Sequence, residues 1–295
     1  MDGPLSVSGP RDTHPLCDAF IAAGREAGLP DNPDFNGTSQ DGVGYYHGTA
    51  RAGRRCSAAV AYLNPVRRRP NLRILTGAHA QRILVKDQRA IGIEWMAGGE
   101  RRRALGGEII LSAGAIASPQ LLQVSGIGPG PLVQSLGVPH VLSSANIGEG
   151  LQDHLQVRMV YRSAQRVTLN DDFASLWGRT MLAARYAVSR RGPLTISAGY
   201  AGAFLRTDAA LDRPDVQLLF IIFSTQRMGA KLDPFSGFTV SACQLQPESR
   251  GWVRALSPDP AIAPAIQANY LATEKDRATT LAGLAAIRTI MAQPA

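Results

Sequence analysis

An α/β segment followed by an α+β segment is the fold the sequence predicts, on three observations. The run Glu108 to Leu111 is apolar and passes through Ser112, Ala113 and Gly114 into a helical pattern, as a buried strand of a parallel sheet enters its covering helix. Before it stand three runs rich in β-forming residues, separated by polar turns, which read as an antiparallel meander. After it, helical patterns alternate with apolar strand-length runs in an order that suits an antiparallel sheet with helices on one face.

The elements follow in chain order. Leu16, Phe20, Ala23 and Ala27 recur at helical spacing between Thr13 and Gly28. Thr13 is the expected cap, Pro15 suits the first turn, and Gly28 with Pro30 ends the helix. Asp31 to Gly44 is rich in Gly, Asn and Asp and predicts loop, and Ser57 to Leu63 predicts a short helix stopped by Pro65. Strands are expected at Leu72 to Thr76, Gln81 to Val85 and Ile91 to Trp95, with Gly98-Gly99 inviting a further hairpin. Ser118 and Pro119 predict the start of the helix that carries Leu121, Leu122 and Val124. Asp172 to Arg191 predicts one long helix stopped by Gly192-Pro193; Val216 to Phe223, Phe238 to Leu245 and Trp252 to Leu256 predict strands, and Thr273 to Met291 a closing helix.

Composition removes several function classes. With 45% apolar and 18% charged residues the chain can bury a core rather than stay disordered. The longest apolar run, Val216 to Phe223, is far short of the roughly 20 residues a membrane span needs, so no span is expected. No basic stretch leading into an apolar one opens the chain at Met1-Asp2-Gly3-Pro4, and the cytoplasm is the expected location. Cys17, Cys56 and Cys243 are odd in number and widely spaced, which fits reduced thiols rather than a disulfide framework or a zinc site. The net charge of +8 comes from separate clusters such as Arg67 to Arg69 and Arg101 to Arg103, without interleaved aromatics. An arginine-rich surface explains that pattern better than nucleic-acid binding.

Self-contained catalytic motifs are missing. The five histidines never stand four apart, so no metal is expected on a helix face. There is no Gly-x-Ser-x-Gly elbow, and Asp153 beside His154 is no triad, because neighbouring side chains diverge. Gly126 to Gly130 follows a helix rather than a strand and contains Pro129, which predicts a turn between helices instead of a phosphate cradle.

The run from Glu108 to Pro129, EIILSAGAIASPQLLQVSGIGP, resembles the second signature of the glucose-methanol-choline (GMC) oxidoreductases. Further stretches resemble the same family: Asp34 to Gly37, Arg55 to Ala59 with Tyr62 and Leu63, Arg69 to Leu72, and Gly148 to His154. Arg213 to Gln217, Gln246 to Gly251 and Asn269 to Thr273 are similar to its choline dehydrogenase branch. The resemblance implies FAD as cofactor and oxidation of a small-molecule alcohol to an aldehyde or ketone, with hydride passing to the flavin and a histidine taking the hydroxyl proton. It implies that backbone groups of Ala80 contact the adenine and that Ala113 and Gly114 form the tight turn beside the adenosine. Asp153 and His154 are then structural residues near the flavin. Residues 1–154 are expected to be part of a FAD-binding domain, 155–272 an antiparallel substrate domain, and 273–295 a helix leading back. The family's glycine-rich opening and closing catalytic histidine have no counterpart in the sequence. A partial chain is therefore expected, inactive alone, with no catalytic residue of its own and a complementing chain or self-association as partner. The alternative reading is a non-catalytic binding or assembly module that keeps the substrate domain.

Overall fold

The computed structural model describes residues 3–195, 199–227 and 229–295; Met1 and Asp2, where the N-terminal reading begins, lie outside them. The helices are α1 (Pro15–Glu26), α2 (Gly114–Val124), α3 (Gly130–Ser135), α4 (Leu169–Ala174), α5 (Leu176–Ser189) and α6 (Glu274–Met291). The strands are β1 (Gly42–Tyr45), β2 (Ala50–Arg51), β3 (Arg54–Arg55), β4 (His79–Lys86), β5 (Arg89–Ala97), β6 (Glu100–Leu105), β7 (Ile127–Gly128), β8 (Leu142–Ser143), β9 (Glu149–Leu151), β10 (Gln156–Arg162), β11 (Ala201–Leu205), β12 (Val216–Ile221), β13 (Gly237–Gln244), β14 (Gly251–Arg254) and β15 (Ala265–Gln267). The chain divides into two compact units, each discontinuous in sequence, which cut across the consecutive ranges 1–154, 155–272 and 273–295. One takes the chain up to Leu72, His154–Gln246 and Glu274–Ala295; the other takes Arg73–Asp153 and Pro247–Thr273.

The first unit is built on an antiparallel sheet in the order β1-β11-β12-β13-β10. Strand alternation puts Val43, Ala201, Ala203, Val216, Leu218, Phe220, Val240 and Ala242 on one face, where they pack against Cys17, Phe20 and Ile21 of α1 and Ile287 and Ile290 of α6. The expectation of helices on one face of the sheet holds. The N-terminal segment joins this sheet because β1 registers Val43 opposite Ala203, hydrogen-bonded along its length. Close approach of α6 is set by Gly283, where a Cβ would stand 3.1 Å from Ala242 Cβ and 3.2 Å from Val216 Cγ1.

Several boundaries moved for identifiable reasons. His14, not Thr13, caps α1: its Nδ1 accepts from the Leu16 amide at 3.3 Å, and Pro15 follows at the first helical position. The helix expected over 172–191 is broken at Ser175, whose extended backbone ends α4 and whose hydroxyl caps α5 by accepting from Gly178 N at 3.0 Å. Between Ser57 and Pro65 the short helix exists, as a π turn over Ala59–Leu63 followed by a 3-10 turn over Asn64–Val66.

In the second unit the meander is β4-β5-β6. Leu72 to Thr76 is not one of its strands; the third strand is the arginine-rich Glu100–Leu105, reached through the hairpin at Gly98 and Gly99, both at positive φ. The expected strand at Glu108 to Leu111 is also absent: this stretch makes no ladder, and Ile110 is 81% exposed. An extended run becomes a strand only where a neighbour receives its amides and carbonyls, and none does so among the described residues. No described helix is long and apolar enough to cross a membrane.

Candidate functional site

The predicted cofactor residues all fall in the second unit. Gly114 turns the extended stretch into α2 with φ +86, a conformation that side chains disfavour. A Cβ built there meets nothing within 4 Å, so the turn opens onto free space. Ala113 precedes it with no side-chain cap on the helix, which leaves the first amides of α2 available to an acceptor. The helix thus begins at Gly114, not at Ser118 as the sequence suggests. Once Gly114 has made the turn, Pro119 is carried inside the helix and simply lacks the N–H that would bond back one turn.

Ala80 lies near the start of β4, an edge strand, opposite Trp95 and beside a register shift between Ala80 and Arg82. An edge strand at a bulge has backbone groups not consumed by its ladder. Ala80 packs with Leu121 and Leu122 of α2 in one apolar cluster with Ile83 and Val124. Further along the same edge the Ile83 amide donates to Ser125 Oγ at 2.8 Å. The fold therefore gathers β4 and the signature helix α2, and Ala113 with Gly114 forms the turn at that helix's start.

Two glutamines that sequence reasoning passed over hold this unit together. Gln123 is fully buried: its Nε2 donates to Val253 O at 3.0 Å and Ile147 O at 3.2 Å, and its Oε1 accepts from Ala255 N at 2.8 Å. Gln120 Nε2 donates to Ile262 O at 2.7 Å. The available signal was two amides three apart on an otherwise apolar helix. At Gly148, with φ +89, a Cβ would stand 2.2 Å from Val253 O, so the loop's backbone lies directly against β14. Glu149 pairs with Arg254 at 3.0 Å, and the Tyr270 hydroxyl donates to Asp153. His154, in the first unit, lies 3.0 Å through Nε2 from Leu245 O. Both Asp153 and His154 are thus engaged in structural contacts.

The meander carries a buried carboxylate, Glu94, within 2.7 Å of Arg103, 3.2 Å of Arg82 and 3.6 Å of Arg101. Burial alone would raise its carboxyl, but the Arg103 hydrogen bond and the three guanidinium charges outweigh that and hold it below the ordinary range. The first unit has a cavity of about 450 Å³ lined by Asp12, His14, Asp172, Arg185 and the aromatics Trp177 and Tyr200. Burial raises the Asp172 carboxyl, and neighbouring Asp171 adds to this. Trp252, in the other unit, is covered by the Arg254 guanidinium at 4.2 Å.

The GMC oxidoreductase N-terminal family model matches residues 1–156 and the corresponding C-terminal model matches 247–295. The chain belongs to the GMC oxidoreductase family. It is 38% identical over its whole length to an oxygen-dependent choline dehydrogenase of Vibrio vulnificus, covering 53% of that protein. It is 35% identical to an alcohol dehydrogenase (acceptor) of Pseudomonas putida, covering 99% of this chain and 54% of that one. Among solved structures, pyridoxine 4-oxidase from Mesorbium loti matches with a TM-score of 0.85 and 29% identity, over 99% of this chain and 54% of that chain. Formate oxidase, at 22% identity and a TM-score of 0.87 over 98% of this chain and 55% of that chain, shows the shared fold. The chain spans about half the length of the curated relatives it matches. FAD is the cofactor of the GMC family, and the residues present fit it: the turn at Gly114 is open and the α2 amides beyond it have no side-chain cap.

Proposed function

We propose that this chain forms the adenosine-side turn and the substrate-side sheet of an FAD-dependent oxidoreductase acting on CH–OH groups, converting an alcohol to an aldehyde or ketone. The observation that carries the reading is the GMC signature folded as a Gly114 turn at positive φ, opening onto free space at the uncapped start of α2. Ala113 and Gly114 hold the adenosine there, because a bare turn lets a ligand approach the backbone, and the edge groups of Ala80 read the adenine. Bound FAD would supply the electron-accepting chemistry for the hydride leaving the carbinol carbon. Gln123 and Gln120 fix α2, and Gly148 lets the following loop lie against β14.

No histidine of the chain is assigned the hydroxyl proton. His14 Nδ1 caps α1, His154 lies against Leu245 O, and His140 contacts Ser143 Oγ at 2.9 Å. The sheet face away from α1 and α6, bearing Leu219, Ser241 and Arg158, is the proposed wall of the alcohol site. The Glu108 to Leu111 stretch, apolar in sequence and with Ile110 exposed, supports a partner, a complementing chain or a second copy, that covers it. Three buried free cysteines suit a reducing compartment, and we place the protein in the cytoplasm.

The test is a chimera in which these residues replace the corresponding stretch of the Vibrio vulnificus relative. The expected result is retained flavin and dye reduction with an alcohol donor. A chimera that folds and holds FAD yet oxidises nothing in a broad alcohol panel would overturn the reading.

A further inference from the structure

Ser125 stands just past the last turn of α2, where its hydroxyl makes two contacts at once. The Oγ donates to Leu121 O at 2.6 Å, one turn back, and accepts from the Ile83 amide of β4 at 2.8 Å. Both directions are fixed, because the hydroxyl has one proton to give and an amide N–H only donates. Ser125 is buried, so losing the hydroxyl would leave the Ile83 amide desolvated and unpaired. The helix end that carries it is itself pinned. Gly126 follows at φ +85, a Cβ there would run into Pro139 O, and the Val141 amide donates to Gly126 O at 2.9 Å. Strand β4 pairs with β5 on one side only, and among the described residues the Ile83 to Ser125 bond is the hydrogen bond that joins its other side to α2. The two elements otherwise meet through apolar side chains, Ala80 and Ile83 lying in one cluster with Leu121 and Val124.

We propose that Ser125 is a positioning residue for the adenosine: by holding Ile83 it sets where the Ala80 backbone, three residues earlier, stands relative to the Gly114 turn. The inference rests on the adenosine reading of Ala80, Ala113 and Gly114 given above. Apolar packing is non-directional and lets a strand slide along a helix. A hydrogen bond weakens steeply with distance and angle, so it fixes the register that packing leaves loose. The register shift between Ala80 and Arg82 makes such an anchor necessary, because there the start of β4 departs from regular pairing with β5. Ser125 acts on the far side of that shift and touches no ligand itself.

ADP binding to the full chain, followed residue by residue in amide NMR, tests it. In the parent, ADP should shift both Ala80 and the Gly114 to Ala117 amides. Ser125→Ala should weaken ADP binding roughly tenfold and abolish the Ala80 shift, while the Gly114 to Ala117 shifts persist at saturation. Ser125→Thr, which keeps the hydroxyl, should restore both. Ser125→Cys, with a weaker acceptor, should show the alanine pattern at roughly threefold, and it serves where alanine unfolds the unit. Val133→Ala, which empties buried space in α3 of the same unit, should lower the urea midpoint and leave ADP affinity unchanged, separating position from stability. The proposal is overturned if Ser125→Ala binds ADP as the parent does with the Ala80 shift intact, or if Val133→Ala weakens binding as much; the adenosine site then stands without it. A parent that responds to ADP neither at Ala80 nor at α2 would overturn the adenosine reading itself, and this inference with it.

Discussion

The five-stranded sheet unit and the meander unit are held together by different forces. In the first, alternate residues of four strands and two helices bury an apolar layer in which Leu218 and Val240 are fully inaccessible. In the second, the apolar cluster is small, five buried residues, and cohesion comes from polar groups that are themselves buried: Gln123, Gln120, Ser125 and Glu94. An apolar layer tolerates many residues of similar size. A buried polar crosslink tolerates few, because each partner left unpaired costs its full desolvation. This fits the longest family signature, Glu108 to Pro129, lying on α2 and its flanks rather than on the sheet.

Substitutions should separate the two regimes. Phe220→Ala should cost about 4 kcal/mol through lost burial and a cavity; hydrogen exchange should show protection lost in β11, β12 and β13 while β4 and β5 keep theirs. Loss spread evenly over both units would break the comparison. Gln123→Leu, nearly the same size, should cost about 3 kcal/mol, since the Ala255 amide and the Val253 and Ile147 carbonyls lose their partner. A neutral effect in urea unfolding would mean that packing, not the crosslink, stabilises this unit.

Glu94→Gln should cost about 2 kcal/mol, less than a fully buried pair because its arginines are solvated. Its folded carboxyl is depressed, so its contribution is present above the ordinary carboxylate value of about 4.3 and lost as pH falls through the folded value. The variant should flatten that acid limb of the stability profile, and an unchanged limb would exclude Glu94 as its source. Glu149→Gln, removing an exposed ion pair with Arg254, should cost no more than about 0.5 kcal/mol by the same unfolding assay.

How much was legible follows from the same distinction. The apolar run from Val216 to Phe223 announced a strand, and α6 followed from its periodicity, because both are local signals. The participation of β1 in that sheet was not legible, since Gly42 to Tyr45 reads as loop and pairs with Ala201 to Phe204 only over a long sequence separation. Glu100–Leu105 hid its strand character behind three arginines whose purpose, in part, is the carboxylate of Glu94 one strand away. The turn at Gly114 was legible from the signature, whereas the packing roles of Gln123 and Gly148 depended on Val253, more than a hundred positions later.

The most direct test of the central claim is amide NMR of the chain titrated with ADP, which carries the adenosine and phosphate chemistry of FAD. The account predicts shifts at Ala80, Ala113 and the Gly114 to Ala117 amides, and their loss, with β4 and β5 resonances unmoved, in Gly114→Val. Shifts confined to the first unit, or shifts at α2 that persist in Gly114→Val, would contradict it.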